Sequence, residues 1–233
     1  MDSDALGPCA HLAAGLAVAA ALPEPARSQL GDRVGAALTA WSTPASGRPE
    51  PLLVQVRRGW PPSTLGGLGS GGEPRGTSTE VIRRVQGANP AQSAQATDLP
   101  DRLPPTCVLG NSRIKGVDLL AWLELTTASA LVTAQISVPR GLLIAAARTG
   151  AKLLAAAHPG RSIELRVPGA VAVQLGDGTG PRHTRGTPPN VIETDPATLL
   201  ELLDGSIGFA AAKAEHRVAA SGVHADLAPL LPL

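Results

Sequence analysis

The apolar positions near the start of this 233-residue chain predict two helices. Small apolar residues fill positions 10–22, and Leu30, Val34, Leu38 and Trp41 then recur at the spacing of one helix face. The first run is too short to span a membrane, which takes ~20 apolar residues. The acidic residues that precede it do not suit a signal peptide. We therefore expect two buried N-terminal helices that pack on each other.

The apolar pattern disappears in the middle of the chain and then returns. Residues 60–105 are rich in Gly, Pro, Ser, Thr and Gln, and they cannot bury enough apolar surface to offset the entropy of ordering them. We expect a short strand over 52–57 before this stretch and at most a short helix near 81–85 within it. An apolar helix is predicted over 116–136, and Trp122 near its middle is expected to lie in the core.

The C-terminal part alternates between helical and strand patterns. Residues 139–158 repeat apolar positions at helical spacing and end in His-Pro-Gly, which stops a helix. Two strands with a Pro-Gly turn between them follow, and each has one apolar face, as is typical of a sheet that is covered on one side. The apolar positions of these two strands are Ile163, Leu165, Val167, Val171, Val173 and Leu175.

The last forty residues carry the residues that open and close short elements. The expected order of the whole C-terminal part is α-β-β-β-α-α-β-α. Its later elements are a strand over 191–193, a helix that Asp195 caps and Gly205 ends, a helix over 210–215 that Ser206 caps, a strand over 218–221 and a final turn that Asp226 caps.

The composition narrows the function classes. The net charge is +1 and aromatic residues make up 2%, so the chain has no basic, aromatic-bearing face for nucleic acid. A core of Ala, Val and Leu leaves internal space more readily than an aromatic one, although the same composition also fits a biased codon usage. Cys9 and Cys107 are the two cysteines, without metal-binding spacing, which favours a reducing cytoplasm over a disulfide framework.

The stretch 180–196, GPRHTRGTPPNVIETDP, holds Arg182, His183 and Arg185 on a loop that Pro and Gly restrain. Guanidinium groups and backbone amides in such a loop can bind a phosphate or a carboxylate. The alternative is structural, with the arginines paired to Glu193, Asp195 or a backbone carbonyl. Both interpretations stay open at the level of sequence.

Catalytic and metal-binding patterns are missing from the sequence. Ser206, Ser221 and Thr194 have explanations as caps or strand ends, and no GxSxG motif is present. The glycine-rich stretch 66–76 lacks the spacing of a phosphate-binding loop. His183, His216 and His224 have no cysteine or carboxylate cluster beside them in the sequence, as a metal site would require. We therefore expect no catalytic residue, no metal and no cofactor.

Three strings together resemble the actinobacterial branch of the sterol carrier protein family. They are GRSIELRVP at 160–168, the loop string at 180–196, and ASGVHADLAPLLPL at 220–233, and the resemblance covers about 139–233. It implies a small domain in which a curved, mainly antiparallel sheet is covered by helices around an apolar, lipid-sized tunnel. The family brings no metal, cofactor or catalytic residue with it.

The segment LLAWLELTTASALVTA at 119–134 sits where the last helix of a second family would lie. It resembles the helical bundle of the mycothiol-dependent maleylpyruvate isomerases, which place a metal-binding histidine on this helix. Here the helix contains no histidine, and His11 is the only one upstream. One imidazole cannot form a tri-histidine site, so the resemblance implies a degenerate bundle.

These observations predict an α+β fold preceded by a helical, partly disordered N-terminal region. The predicted divisions are an N-terminal helical region (1–59), a linker (60–107), a connecting helix (108–138) and a sterol-carrier-like domain (139–233). The sterol-carrier-like domain is expected to fold without the N-terminal half of the chain. If the connecting helix packs on the sheet, the part that folds by itself is expected to begin near residue 108.

The predicted function is non-enzymatic, cytoplasmic binding of a lipid or other apolar small molecule, with no nucleic-acid partner and no transmembrane segment. Residues 227–231 are expected to close one end of the cavity. A degenerate isomerase-type enzyme or accessory subunit and an interaction module without a ligand are the alternatives, and the same side chains could simply fill a core. The predicted lining residues are Ile163, Leu165, Val167, Val171, Val173, Leu199, Leu203, Leu227, Leu230 and Leu231.

Overall fold

The computed structural model describes residues 8–51, 99–109, 112–176 and 190–233. Several sequence predictions fall outside these ranges. They are the strand over 52–57, the helix near 81–85, most of the proposed linker, and the loop cations Arg182, His183 and Arg185.

Six helices, six strands and a terminal 3-10 turn lie within the described residues. The helices are α1 (Ala10–Ala19), α2 (Ala26–Trp41), α3 (Gly116–Thr133), α4 (Arg140–Ala157), α5 (Pro196–Asp204) and α6 (Phe209–Ala214). The strands are β1 (Cys107–Leu109), β2 (Ser112–Ile114), β3 (Ile163–Val167), β4 (Val171–Leu175), β5 (Asn190–Thr194) and β6 (Val218–Ser221), and the 3-10 turn is Ala228–Leu230.

The main sheet has four strands in the order β4-β3-β5-β6. The outer pairs, β3–β4 and β5–β6, are antiparallel, whereas the central pair β3–β5 is parallel. The predicted α+β class is therefore confirmed, and the sheet is mainly antiparallel. The parallel pair had no signal in the sequence, because strand pairing is a long-range property that alternation within one strand does not encode.

The apolar helix α3 is the element on which most of the other helices pack. α1, α2, α4 and α5 all contact it. We expected α1 and α2 to pack on each other, but α1 packs mainly on α3, and α2 packs on α3 and β1. The approach of α1 is close, because a side chain at Gly15 would overlap Leu142 of α4 and contact Thr127 of α3.

α3 is also long and apolar enough to cross a membrane by length and composition. Within the described residues, 67% of it is buried inside the protein. Trp122 is among its buried residues, as predicted, and the guanidinium of Arg33 from α2 lies 5.7 Å from the centre of its ring. These features are those of a core helix.

The predicted caps and turns are largely confirmed. The Asp195 carboxylate accepts hydrogen bonds from the backbone N–H groups of Ala197 (2.9 Å) and Thr198 (3.0 Å) at the start of α5. Gly205 ends that helix with φ +78°, and Gly169 takes φ +76° in the β3–β4 turn. Both conformations favour glycine, because a Cβ is strained there.

Two expectations about short elements were wrong or incomplete. Ser206 does not cap α6, because its backbone N–H and its hydroxyl both bond to the Asp204 side chain, and Gly208 precedes the helix instead. The hairpin of β1 and β2 was not predicted. Each of its strands has three residues, which is too short for an alternating pattern to be recognised.

The packing of α3 on α4 and α5 generates a prediction about the folding unit. A chain of residues 99–233 should unfold in one cooperative transition. A chain of residues 139–233 should melt about 10 °C lower or more, because it exposes the apolar faces that α3 covers. Circular dichroism melting of both chains tests this, and equal melting temperatures would show that α3 is dispensable.

Candidate functional site

The inner face of the main sheet is formed by the side chains predicted from the strand pattern. Ile163, Leu165 and Val167 of β3 are buried, and the charged residues between them point to the other face. Val171 and Val173 of β4 are only half-buried. The difference arises because β4 is an edge strand, so its inner face is covered from one side only.

Helix α4 packs on β4, and α5 packs on α4 and α3. Leu199 and Leu203 of α5 are both buried, in the same core cluster as the β3 side chains. The contact between the two helices is close at Gly150 of α4, where a Cβ would overlap the Leu203 side chain. A larger residue at position 150 would therefore push α5 away from α4.

The C-terminal segment, residues 227–233, completes the cover. Leu227 and Leu230 are buried and Leu231 is half-buried. The backbone N–H of Leu233 donates to the Leu203 carbonyl at 2.9 Å, which fixes the chain end to the end of α5. As predicted, the Asp226 side chain accepts from the N–H of Ala228 (2.9 Å) at the start of the 3-10 turn.

The space between sheet and helices is occupied by these side chains. Leu165, Leu199 and Leu227 are each 0% exposed, so none of the three borders a space that a water molecule could reach. A ligand between the layers would have to displace protein side chains.

Asn190 anchors the sheet edge at which the C-terminal region leaves β6. It is 2% exposed, its Nδ2 donates to the Ser162 carbonyl at 2.8 Å, and its Oδ1 accepts from the backbone N–H of His224 at 2.8 Å. One side chain thus joins three parts of the chain. Sequence analysis did not identify this role, because an Asn after two prolines is also an ordinary turn residue.

Arg217 fixes α5 to the start of β6. Its guanidinium forms an ion pair with Glu201 and a hydrogen bond to the Thr198 hydroxyl (3.2 Å), both on α5. Glu215 lies 3.7 Å away and is more exposed. The arrangement places a helix against the sheet and satisfies its own charges, so it is structural.

The outer face of the sheet is polar. The guanidinium of Arg166 lies 3.0 Å from the Glu164 carboxylate. The hydrogen bond and charge of Glu164, with a smaller effect of Glu193, raise the pKa of Arg166 above its usual range. The sequence offered Glu193 as a partner for the loop arginines, which lie outside the described residues. In the structure its negative charge contributes to the raised pKa of Arg166.

Groups for covalent or metal chemistry are not assembled in the part of the chain that the structure describes. No three His, Cys, Asp or Glu side chains are grouped there as a metal ion would require. Both cysteines are buried free thiols. Burial raises the pKa of each, and that of Cys9 reaches about 11, so both stay protonated near neutral pH.

Comparison with known proteins bears on the C-terminal part. Residues 139–233 match the model of a family described as "Bacterial SCP ortholog", which confirms the sterol-carrier-like resemblance for this segment. The match covers less than half of the chain, and the isomerase-like resemblance of the N-terminal part stays a prediction. No curated protein matches the chain.

The Asn190 anchor generates a prediction about stability. Asn190→Ala removes the two hydrogen bonds that its side chain makes, to the Ser162 carbonyl and from the His224 N–H, and it should lower the free energy of unfolding by roughly 2 kcal/mol. Urea denaturation measures the change. Val223→Ala is the matched control, because Val223 is 94% exposed next to the anchored residue and should change stability by less than about 0.5 kcal/mol.

Proposed function

We propose that the sterol-carrier-like segment 139–233 binds a lipid or other apolar small molecule between the inner face of the sheet and the helices α4 and α5. The observation that carries the proposal is the family match over this whole segment. The one-sided sheet and its helical cover support it, because the side chains buried between them in this segment are mostly aliphatic and could repack around an apolar molecule.

Ligand entry requires that part of this cover moves. The C-terminal segment is the element best suited to do so, since it contains only a three-residue 3-10 turn, and one backbone hydrogen bond, from Leu233 to Leu203, joins it to α5. Its leucines fill the space that an acyl chain or a compact ring system would take. We therefore propose that the segment 227–231 moves outward to admit the ligand and then closes over it, with Leu227 and Leu230 in contact with the bound molecule.

The half-buried residues mark where an apolar molecule first makes contact. Val171 and Val173 on the edge strand and Leu231 in the C-terminal segment keep part of their apolar surface in water. From there the ligand reaches the buried lining residues Ile163, Leu165, Val167, Leu199 and Leu203. Arg182, His183 and Arg185 remain proposed contacts for an acidic head group.

The expected affinity is modest. Burying about 200 Å² of apolar ligand surface contributes ~5 kcal/mol before the cost of association. Displacing the leucines of the C-terminal segment reduces this further. Since ~5 kcal/mol corresponds to a dissociation constant of only about 0.2 mM, the micromolar binding that we expect requires a ligand that buries at least about twice this area. Such contacts have low specificity for the apolar part, which suits a carrier.

The proposal includes the absence of enzymatic activity and a cytoplasmic location. Sterol-carrier-like domains are typically non-catalytic. The two cysteines support a reducing compartment, because both are unpaired and buried rather than joined.

The C-terminal segment generates the test of function. Leu230→Asp places a carboxylate where Leu230 is 5% exposed, and the cost of dehydrating that charge keeps the segment from closing over a ligand. We expect the wild-type protein to bind a fluorescent fatty acid with micromolar affinity. The variant should bind it at least about tenfold more weakly, since a cost of ~1.4 kcal/mol already gives that factor.

Val223→Asp is the matched control, because it adds the same charge to a fully exposed position a few residues earlier. It should leave binding unchanged, and the melting temperature of each variant separates a binding defect from a folding defect. If the wild-type protein takes up no fatty acid, and mass spectrometry under native conditions finds no co-purified lipid, the proposed function is wrong.

A further inference from the structure

Glu124 is a buried carboxylate in the middle of α3, outside the proposed lipid site. It is 7% exposed. Thr127, one turn further along α3, is fully buried, and its hydroxyl has no hydrogen-bond partner among the described residues. Burial raises the pKa of Glu124 to about 7, because the charged form loses its hydration.

The start of α1 lies near Glu124. Cys9, directly before the helix, is buried, and its thiol donates to the carbonyl of Pro100 at 3.6 Å. Its raised pKa is due first to burial and second to the negative charge of Glu124. The two side chains are therefore close enough to interact, and α1 docks with its first residues beside an unneutralised carboxylate.

No charged group on the packed elements, as far as they are described, compensates for Glu124. Burial is the cause of its shifted pKa, without a contribution from a neighbouring cation. Arg33 of α2 lies over Trp122, and the His11 ring of α1 lies against Gly141. The helices that pack on α3 carry seven further charged groups, which are Arg27 and Asp32 on α2, Arg140, Arg148 and Lys152 on α4, and Glu201 and Asp204 on α5. Two more, Lys115 and Asp118, lie at the start of α3 itself.

We propose that Glu124 makes the docking of α1 on α3 depend on pH, so that α1 is held firmly in mildly acidic solution and opens more often in alkaline solution. When α1 opens, water reaches the carboxylate and the penalty of burying its charge is removed. Opening also uncovers the part of α3 that Leu12 and Gly15 cover. The device is independent of the proposed lipid site.

The sign of the pH dependence of docking follows from proton binding by Glu124. The docked state holds the Glu124 proton more tightly than the open state, in which the pKa returns toward 4.5. Below that pH the carboxyl group is neutral in both states and docking is unaffected. As the pH rises from 4.5 through about 7 docking weakens, and above that range the loss is complete.

Cys9 provides a built-in reporter for the opening of α1. In the intact chain its alkylation by iodoacetamide can be followed by peptide mass spectrometry, with the buried Cys107 as an internal reference for global unfolding. At pH 8, Glu124→Gln should slow the labelling of Cys9 by about tenfold or more, since each unit of pKa difference changes the opening equilibrium tenfold. At pH 4, where the carboxyl group is neutral in both states, hydrogen exchange of the α1 amides should be similar in the variant and the wild-type protein.

The design excludes a trivial explanation. Removing the charge of Glu124 lowers the pKa of the Cys9 thiol, which by itself would speed labelling, so slower labelling can arise only from firmer docking. Glu215→Gln, at an exposed carboxylate after α6, is the control and should change nothing. Hydrogen exchange of the α1 amides gives a second measurement and should slow in the Glu124 variant.

Two results would overturn the proposal. One is an unchanged rate of Cys9 labelling at pH 8 in Glu124→Gln with unchanged exchange of the α1 amides. The other is a Glu124→Gln variant in which labelling of Cys9 and of Cys107 at pH 8 slows by the same factor, which would show global stabilisation rather than firmer docking of one helix.

Discussion

The burial of α3 is the contact on which the rest of the structure depends. Its apolar surface is covered by α1 and α2 from the N-terminal region and by α4 and α5 from the sterol-carrier-like segment. Burying a helix on several sides removes far more apolar area from water than an amphipathic surface helix can. The two regions are therefore linked by a shared core helix, although the family match begins after that helix ends.

The same burial explains why polar residues on α3 matter. A helix with Glu124, Thr126, Thr127 and Ser129 among its buried residues is not a simple apolar rod. Thr126 satisfies its hydroxyl by bonding to the Leu123 carbonyl one turn earlier (3.2 Å). The Thr127 hydroxyl has no such partner among the described residues, and burial raises the pKa of the Glu124 carboxyl group, so packing competes with hydration at both positions.

The helices, strands and turns of the C-terminal part could be predicted because each depends on residues that are close together in the sequence. Alternation in β3, the Asp195 cap and the glycine at position 205 act over a few residues and appear in the structure as expected. The parallel pairing of β3 with β5 and the role of Asn190 could not be predicted, because they join residues far apart in the chain. The helical partners of α1 and α2 were misjudged for the same reason.

The candidate lipid site could be predicted from the sequence only in part. Period-two and helical patterns correctly identified which side chains face inward, yet inward-facing leucines look alike whether they fill a core or line a cavity. The structure adds that Leu165, Leu199 and Leu227 leave no space for water between them. It is therefore the mobility of the cover, a property that a residue pattern does not express, that decides whether the segment can hold a ligand.

The parallel pairing of β3 and β5 has a consequence for the order of assembly. β4 follows β3 through a tight turn, so this hairpin closes a very short loop and can form early. β5 must bridge fourteen intervening positions, 176–189, before it meets β3, and β6 can pair only after β5 is in place. We therefore expect the half of the sheet formed by β5 and β6, which leads into the C-terminal segment, to assemble late and to separate first, so that partial unfolding begins beside the segment that is proposed to move.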